Sequence, residues 1–420
     1  MRPRYRIDNS GLYHRAILRK DRSNIFRLCV KLNVAVEPIT LQKALDAVTP
    51  RFPTMVAAIR GNYFHYYAIP VNTPPVIQRE IYPLSYMSRA EIRRCALRVL
   101  YDDNSISVEF FHSLTDGHGG IIFLKSLLAE YLRLSHSISI PQDDEVLRIA
   151  DAPHADETEE SFLKYAGKSK APFDRKTAYL PGSELPSTAP CFTTVVFDTD
   201  SLLATAKSYG VSLTVFLTAA LAKSIMTLQI NESADADLPV QIMLPVDLRR
   251  RFESRTLRNF TLYTLPFIEP SDLDRPFEAL IQKINTQLKE QLTSERLKAM
   301  MTTNIGLEYN WFLRKLPLMI KCLGLKIGFI LIGARNSSLS LSNLGEVSFP
   351  PPISDYVEDV SFFLSPRIYS PYNCTALSCN GKLRFTFTGN ETPLLEPEFV
   401  KTMETLGCKA ENIIKKNSLS

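Results

Sequence analysis

One run of the sequence has residue types and spacing suited to chemistry: His112, Asp116 and Gly117 stand in the order H-x-x-x-D-G. A neutral imidazole, with an ordinary pKa of about 6.5, can accept a proton from an alcohol or an amine while that group attacks a carbonyl carbon. It can then return the proton to a leaving group such as the thiolate of a thioester. The pattern therefore predicts acyl transfer with His112 as the general base.

Asp116 is expected to fix the loop rather than to relay protons. A buried carboxylate needs a cationic partner. Arg249 is the candidate, because it ends the strand-like segment Pro-Val-Asp-Leu-Arg in the second half of the chain. The alternative is an exposed arginine at the end of a strand.

The residues around His112 predict a strand before it and a helix after it. Ile106, Val108 and Phe110 alternate with polar residues, whereas apolar residues recur at helical spacing from Ile121 to Tyr131. Such a loop presents side chains on a rigid support. The alternative is a surface histidine on a glycine-rich turn, with Asp116 only capping the next helix.

The remaining patterns predict a mixed α and β chain. In the first half they indicate strands at Ile25 to Leu32, Met55 to Arg60 and Tyr63 to Ile69, a helix from Thr40, and a second helix from a capping box at Ser88 and Glu91 to about Leu100. In the second half they indicate strands at Phe192 to Phe197 and Val240 to Val246, helices at Leu213 to Leu228, Pro276 to Ala299 and Glu398 to Lys415, and a hairpin turning at Asn380-Gly381.

A proline-rich stretch with an acidic run, from about Ser135 to Pro190, separates these halves. It is typical of an interdomain connection. We therefore expect an N-terminal lobe at residues 1–150 that carries the H-x-x-x-D-G loop, a linker at 151–190 and a C-terminal lobe at 191–420.

Composition excludes several classes of partner. A net charge of +5 from 49 basic and 44 acidic residues is too weak a bias for a nucleic-acid binder. The N-terminus lacks the apolar stretch of a signal peptide, so a cytoplasmic protein is expected. The apolar segment Leu316 to Ile332 carries Lys321 and Lys326, which favours a buried or interfacial helix over a span; membrane contact is not expected.

Other chemistries find little support. There is no G-x-S-x-G segment for an acyl-serine route. His112, Asp116 and His118 can be drawn as a metal site, but no further ligands are evident, so no metal is expected.

These residues resemble the chloramphenicol acetyltransferase-like superfamily. The similarity rests on His112 to Gly117, on Arg249 with Thr256-Leu-Arg-Asn-Phe260, and on Leu341-Ser-Asn343-Leu-Gly345. Among its members, bacterial alcohol acetyltransferase-like proteins are most similar. Phe111 stands where condensation domains carry a first histidine, and no Asp-Phe-Gly-Trp-Gly segment is present, which makes a peptide-forming condensation domain and a plant-type enzyme poorer matches.

The resemblance implies an α+β fold of two similar lobes forming a V, with the histidine in a tunnel between them. It implies that Asp116, Gly117 and Arg249 are structural and that Asn343 contacts the tunnel or the substrate. We expect an O-acyltransferase that takes its acyl group from acyl-CoA as cosubstrate, without a bound cofactor, and transfers it to a small alcohol or amine. The alternatives are a condensation-type N-acyltransferase that uses an acyl carrier protein, and a catalytically silent homologue that binds the carrier.

Overall fold

The computed structural model describes residues 3–18, 24–81, 83–141, 143, 145–171, 177–181, 191–231, 237–330, 335–366, 372–389 and 394–417. Its strands are β1 (Tyr5–Arg6), β2 (Ile25–Leu32), β3 (Ala57–Gly61), β4 (Tyr66–Pro70), β5 (Gln78–Arg79), β6 (Leu97–Asp102), β7 (Ser105–Phe111), β8 (Cys191–Asp198), β9 (Val240–Asp247), β10 (Thr261–Thr264), β11 (Phe267–Ile268), β12 (Leu339–Glu346), β13 (Val357–Leu364), β14 (Asn373–Cys379), β15 (Lys382–Gly389) and β16 (Asn412–Asn417).

The helices are α1 (Asn9–Ala16), α2 (Pro38–Val48), α3 (Arg89–Arg94), α4 (Gly117–His136), α5 (Ser161–Tyr165), α6 (Thr199–Ser208), α7 (Leu213–Asn231), α8 (Phe277–Gln291), α9 (Ser294–Tyr309), α10 (Trp311–Arg314), α11 (Leu318–Gly328) and α12 (Leu395–Thr405). Short turns of 3-10 helix follow α2 and precede α8 and β13.

A sheet in the order β13-β2-β7-β6-β5 supports the H-x-x-x-D-G loop. Strand β7 is central to it and pairs antiparallel with β2 and β6. The apolar side chains of β7 are buried, and α4 follows with most of its length buried against the sheet and α2. The loop therefore leaves a strand that is held on both edges, which fixes its position.

A second sheet has the order β10-β9-β12-β14-β15-β8-β16, with β11 also paired to β9. It is mixed, because β12 runs parallel to both β9 and β14 while the other pairs are antiparallel. Strands β1, β3 and β4 form a small third sheet. The α+β fold class predicted from the sequence is confirmed.

Helix α7 is the one helix of the described residues that is long and apolar enough to cross a membrane by length and composition. Two thirds of its apolar window, 67%, is buried inside the structure. It packs on α12 and α8 as part of the core behind the second sheet, which is the environment of a core helix in a folded domain.

Several element predictions hold in position and type. Strand β2 has the predicted bounds, and α7 and β9 cover the predicted segments. The hairpin of β14 and β15 turns at Asn380 and Gly381, whose φ angles are +48° and +72°. Both residues lie in the left-handed region, as a two-residue hairpin turn of this type requires.

Three helix predictions are wrong in extent. Helix α3 begins with the capping box of Ser88 and Glu91 but ends at Arg94, and from Leu97 to Leu100 the chain belongs to β6. The helix predicted from Pro276 to Ala299 is two helices, because Thr293 caps a new helix after α8 ends. The final predicted helix stops at Thr405, and β16 then pairs with β8.

The division into residues 1–150, 151–190 and 191–420 stays a prediction. The five-stranded sheet includes β13, so one strand from the third segment lies beside β2 from the first. The proposed linker is in part well packed, since Phe162 is buried and Glu157 forms a buried ion pair with Arg51. Residues 172–176 and 182–190 of that linker lie outside the described residues.

Candidate active site

The loop after β7 places His112 at the point where the strand ends. Its backbone N–H donates to the carbonyl of Asn24 at 3.0 Å. The Ser113 hydroxyl donates to the carbonyl of Gly11 at 2.7 Å, and the Thr115 hydroxyl donates to that of Leu257 at 2.6 Å. Hydrogen bonds thus join the loop to the residue before β2, to α1 and to the second half of the chain. They give the imidazole a fixed position.

Asp116 and Arg249 form a buried ion pair, each with 4% of its side chain exposed. Arg249 Nη1 lies 2.9 Å from Asp116 Oδ2, and Nη2 donates to Oδ1 at 3.0 Å. Asp116 Oδ2 also accepts from the N–H of Phe260 at 2.8 Å and from the hydroxyl of Thr261 at 3.0 Å. Such a bidentate pair, with its remaining lone pairs used, is the arrangement in which a buried carboxylate is tolerated.

The same carboxylate is the N-cap of α4, because Oδ1 accepts from the N–H of Gly119 at 3.2 Å. Burial acts to raise the pKa of Asp116, but Arg249 and the N–H of Phe260 outweigh it, and the pKa is lowered. The guanidinium of Arg249 also donates to the carbonyls of Thr256 and Arg258, at 2.8 and 2.6 Å. Asp116 therefore stays charged and joins the start of α4 to the segment before β10.

Glycines at the start of α4 let the two halves approach closely. A Cβ on Gly117 would lie 2.5 Å from a methyl carbon of Leu344, and one on Gly119 would lie 2.5 Å from the carbonyl oxygen of Leu257. Non-bonded atoms do not approach this closely. The Leu344 methyl could move away from a side chain at position 117, but the backbone carbonyl of Leu257 could not easily do so, and the close packing there requires a glycine at position 119.

The imidazole of His112 lies between other rings. Its ring is stacked on that of His14, with centroids 4.6 Å apart and planes 11° from parallel. The ring of Phe26 meets it edge-on at 5.1 Å. Burial lowers the pKa of His112, while its own backbone carbonyl and the carboxylates of Asp116 and Asp8 act to raise it. The net lowering keeps the imidazole neutral at neutral pH, the form that can accept a proton.

A cavity of about 940 Å³ surrounds this loop, and both large sheets contribute to its wall. His112, Gly117 and His118 line it from the loop, and Asn343 lines it from β12. Asn343 donates to the Thr214 hydroxyl at 3.0 Å and accepts from the N–H of Gly345 at 2.9 Å. The structure thus brings His112, Asp116, Gly117, Arg249 and Asn343 to one site; their roles in a reaction, and a tunnel open at two ends, stay predictions.

His118 points toward Asp247 rather than toward a shared site with His112. Its Nδ1 lies 3.8 Å from Asp247 Oδ2, and burial lowers its pKa. Within the described parts of the chain, no group of three or more His, Cys, Asp or Glu side chains is arranged to hold a metal ion.

Two residues that lie beside His112 were not predicted from the sequence. His14 on α1 stacks on the imidazole, and burial with the neighbouring ring lowers the pKa of His14 well below its ordinary value. Asp8 caps α1, accepting from the N–H of Gly11 at 2.6 Å, and burial raises its pKa. An aspartate before a helical stretch is an N-cap signal, but no spacing in the sequence links α1 to the distant H-x-x-x-D-G loop.

Comparison with known proteins gives a clear result for the fold. No protein-family model matches the chain, and no curated protein matches it. The structure is similar to that of TRI101 from F. sporotrichioides in complex with coenzyme A and T-2, with a TM-score of 0.66, 13% identity and coverage of 97% of this chain and 99% of that one.

Two further solved structures agree. For TRI3 trichothecene 15-O-acetyltransferase from Fusarium sporotrichioides the TM-score is 0.61, with 10% identity over 96% of this chain and 94% of that one. For the first condensation domain of the CDA synthetase it is 0.58, with 14% identity over 96% and 95%. The chain therefore shares the fold of these acetyltransferase and condensation-domain structures over almost its whole length, which is the fold that the resemblance to the chloramphenicol acetyltransferase-like superfamily predicted.

Proposed function

We propose that this protein is an acyltransferase that moves an acyl group from acyl-CoA to the hydroxyl of an alcohol, with His112 as the general base. The observation that carries the proposal is the position of His112, a neutral imidazole on the wall of a large cavity between two sheets. The similarity to a solved complex with coenzyme A and to a 15-O-acetyltransferase supports the choice of donor and acceptor.

The reaction follows from what a neutral imidazole can do. His112 removes the hydroxyl proton as the alcohol oxygen attacks the thioester carbonyl carbon, forming the new C–O bond. The tetrahedral intermediate collapses, the C–S bond breaks, and the imidazolium returns the proton to the thiolate of coenzyme A. The products are an ester and free coenzyme A, and the enzyme is regenerated without a covalent acyl intermediate.

The cavity can hold an acceptor that has both apolar and polar parts. Ile17, Ile121, Leu325 and Phe329 lie on its wall among nearly as many polar as apolar residues. A concave cavity of this size that combines apolar side chains with polar groups is typical of a small-molecule site. Two polar residues of β12, Ser342 and Asn343, lie on the cavity wall. We propose that they line the tunnel or contact the substrate.

The proposal is tested by mixing the protein with acyl-CoA donors of different chain length and a panel of lipophilic alcohols and amines. Thiol release and mass spectrometry of the products should show one ester formed for each coenzyme A released. Release that is independent of any acceptor would mean hydrolysis and would contradict the proposal. Amide formation only from a carrier-bound thioester would replace it with the condensation-type N-acyltransferase.

A further inference from the structure

Helices α10 and α11 form the most concentrated exposed apolar surface in the described residues. Seven of the nineteen large apolar side chains that are exposed there lie within residues 311–330. Tyr63 and Phe64, at the turn between β3 and β4, are also exposed and lie beside them, since the carbonyl of Tyr63 accepts from the N–H of Leu318 at 2.8 Å. We call this set the α11 patch; its members are Tyr63, Phe64, Trp311, Phe312, Met319, Ile320, Leu323, Ile327 and Ile330.

The members of the α11 patch that lie on α11 or directly after it occupy one side of the helix. At roughly 100° per residue, Met319, Ile320, Leu323, Ile327 and Ile330 fall within about a third of the circumference. Leu318, Leu325 and Phe329 lie on the opposite side, where Leu318 is buried and all three line the cavity. Helix α11 is therefore apolar on two faces, one turned to the cavity and one to solvent.

Packing in the protein core does not explain the apolar side chains of this outer face, because they are exposed. Exposed apolar groups scattered singly are ordinary, but a contiguous patch marks a binding surface. Helix α11 covers 11 residues, about half of the length that crosses a bilayer. An apolar helix of this length with a polar rim lies in the plane of a membrane interface rather than across it.

The charge around the patch identifies the kind of surface that it fits. From Tyr309 to Gly345 the sequence contains Arg314, Lys315, Lys321, Lys326 and Arg335 and no acidic residue. Lys315 Nζ lies 4.2 Å from the centre of the Trp311 ring, and Lys326 is exposed in the last turn of α11. Tryptophan with adjacent lysines is typical of the headgroup region, where lysine heads meet anionic phosphates.

We propose that the α11 patch docks on the surface of a lipid bilayer that contains anionic lipids. The sequence predicts no membrane contact, because Lys321 and Lys326 would be costly inside a bilayer. In the structure Lys321 lines the cavity and donates to the carbonyl of Phe64 at 3.1 Å, and a helix lying at the interface leaves the exposed Lys326 at headgroup level. Since the opposite face of α11 lines the cavity, docking brings a wall of the candidate site against the membrane. The proposal concerns binding alone and does not depend on the transfer reaction.

Trp311 makes the proposal directly testable, because it is the single tryptophan of the chain and 71% exposed. The intact protein is titrated with vesicles of phosphatidylcholine mixed with phosphatidylserine, and with vesicles of phosphatidylcholine alone. Binding should move the tryptophan emission to shorter wavelength, and lipids brominated near the headgroup should quench it. Co-sedimentation should be stronger with the anionic vesicles by roughly fivefold for each engaged lysine.

Paired variants distinguish binding through the α11 patch from non-specific binding through other exposed apolar side chains. Leu323→Glu with Ile327→Glu should lower the partition coefficient by roughly tenfold or more per substitution, because each removes an aliphatic side chain that the bilayer would bury. Ile39→Glu with Leu203→Glu is the matched control. Both of those side chains are exposed, on α2 and α6, which pack on α4 and α7, and this variant should bind as the wild type does.

Three results would overturn the proposal. The first is no sedimentation and no emission change with either kind of vesicle. The second is sedimentation with unchanged Trp311 emission, which would place the contact elsewhere on the protein. The third is self-association, seen by sedimentation velocity without lipid and abolished by Leu323→Glu with Ile327→Glu, which would assign the patch to a second copy of this chain.

Discussion

At the scale of single residues, the site depends on the ionisation states of Asp116 and His112. Asp116 remains ionised because Arg249, a backbone N–H and a hydroxyl all stabilise the carboxylate. His112 remains neutral because burial disfavours the imidazolium, although two carboxylates act in the opposite direction. One group therefore holds the loop and the other is left in the state that accepts protons.

This assignment predicts a pH dependence. Since the pKa of His112 is lowered from its ordinary value and the neutral form is the active base, kcat/KM should be constant above about pH 7.5 and should fall tenfold per pH unit below the lowered pKa. The kcat/KM profile measured with a saturating acyl-CoA donor checks this. An acid limb centred above about pH 7 would contradict it.

Arg249→Met should destabilise the protein by about 3–5 kcal/mol, because it leaves the carboxylate of Asp116 buried without its cation. Chemical denaturation measures the change in the free energy of unfolding. Adding Asp116→Asn should recover part of the loss, since the amide still caps α4 but carries no charge. Arg250→Met, an exposed neighbour, is the control and should change stability by less than about 0.5 kcal/mol; equal losses in both single variants would contradict the account.

At the scale of elements, the site is formed where the first turn of α4 meets the second half of the chain. Strand β7 delivers His112, the N-terminus of α4 holds Asp116, and the segment between β9 and β10 supplies Arg249, Phe260 and Thr261. The Gly119 position sets how closely these parts approach, because the carbonyl of Leu257 occupies the space of a side chain.

Gly119→Ala should therefore destabilise the protein by about 1–3 kcal/mol, the range for overpacking against atoms that cannot move freely. Gly324→Ala in α11 is the matched control, because a Cβ there meets nothing within 4 Å. It should stabilise the helix by about 0.5–1 kcal/mol. Thermal or chemical unfolding distinguishes the two, and a neutral Gly119→Ala would show that the contact with Leu257 is not tight.

At the scale of the whole molecule, local patterns predicted more than long-range ones. His112, Asp116 and Gly117 were predictable because they form one local motif, and Arg249 because a buried carboxylate requires a cation. His14 was not, since α1 reaches the site only through the tertiary fold. The place of β13 was not predictable either, because no local signal assigns a strand near the C-terminus to the sheet of β2. The residues after Arg94 fit either a helix or a strand by their local pattern, and pairing with β7 decides for the strand.

The pairing of β13 with β2 predicts that residues 1–190 do not fold alone. That fragment lacks the strand that pairs with β2 from Phe26 to Leu32, so a long apolar strand edge would be open to aggregation. Solubility and circular dichroism of the fragment check this. Joining residues 355–366 through a Gly/Ser linker should recover soluble protein, whereas a fragment 1–190 that unfolds cooperatively by itself would contradict the prediction.

The most direct test of the central claim compares kcat/KM for acceptor-dependent coenzyme A release in the wild type, in His112→Ala and in His136→Ala, at the other end of α4. Removing a general base should lower kcat/KM by about 10²- to 10⁴-fold, while His136→Ala and the fold of all three proteins should be unaffected. Undiminished ester formation by folded His112→Ala would show that His112 is not the base and that the proposed mechanism is wrong.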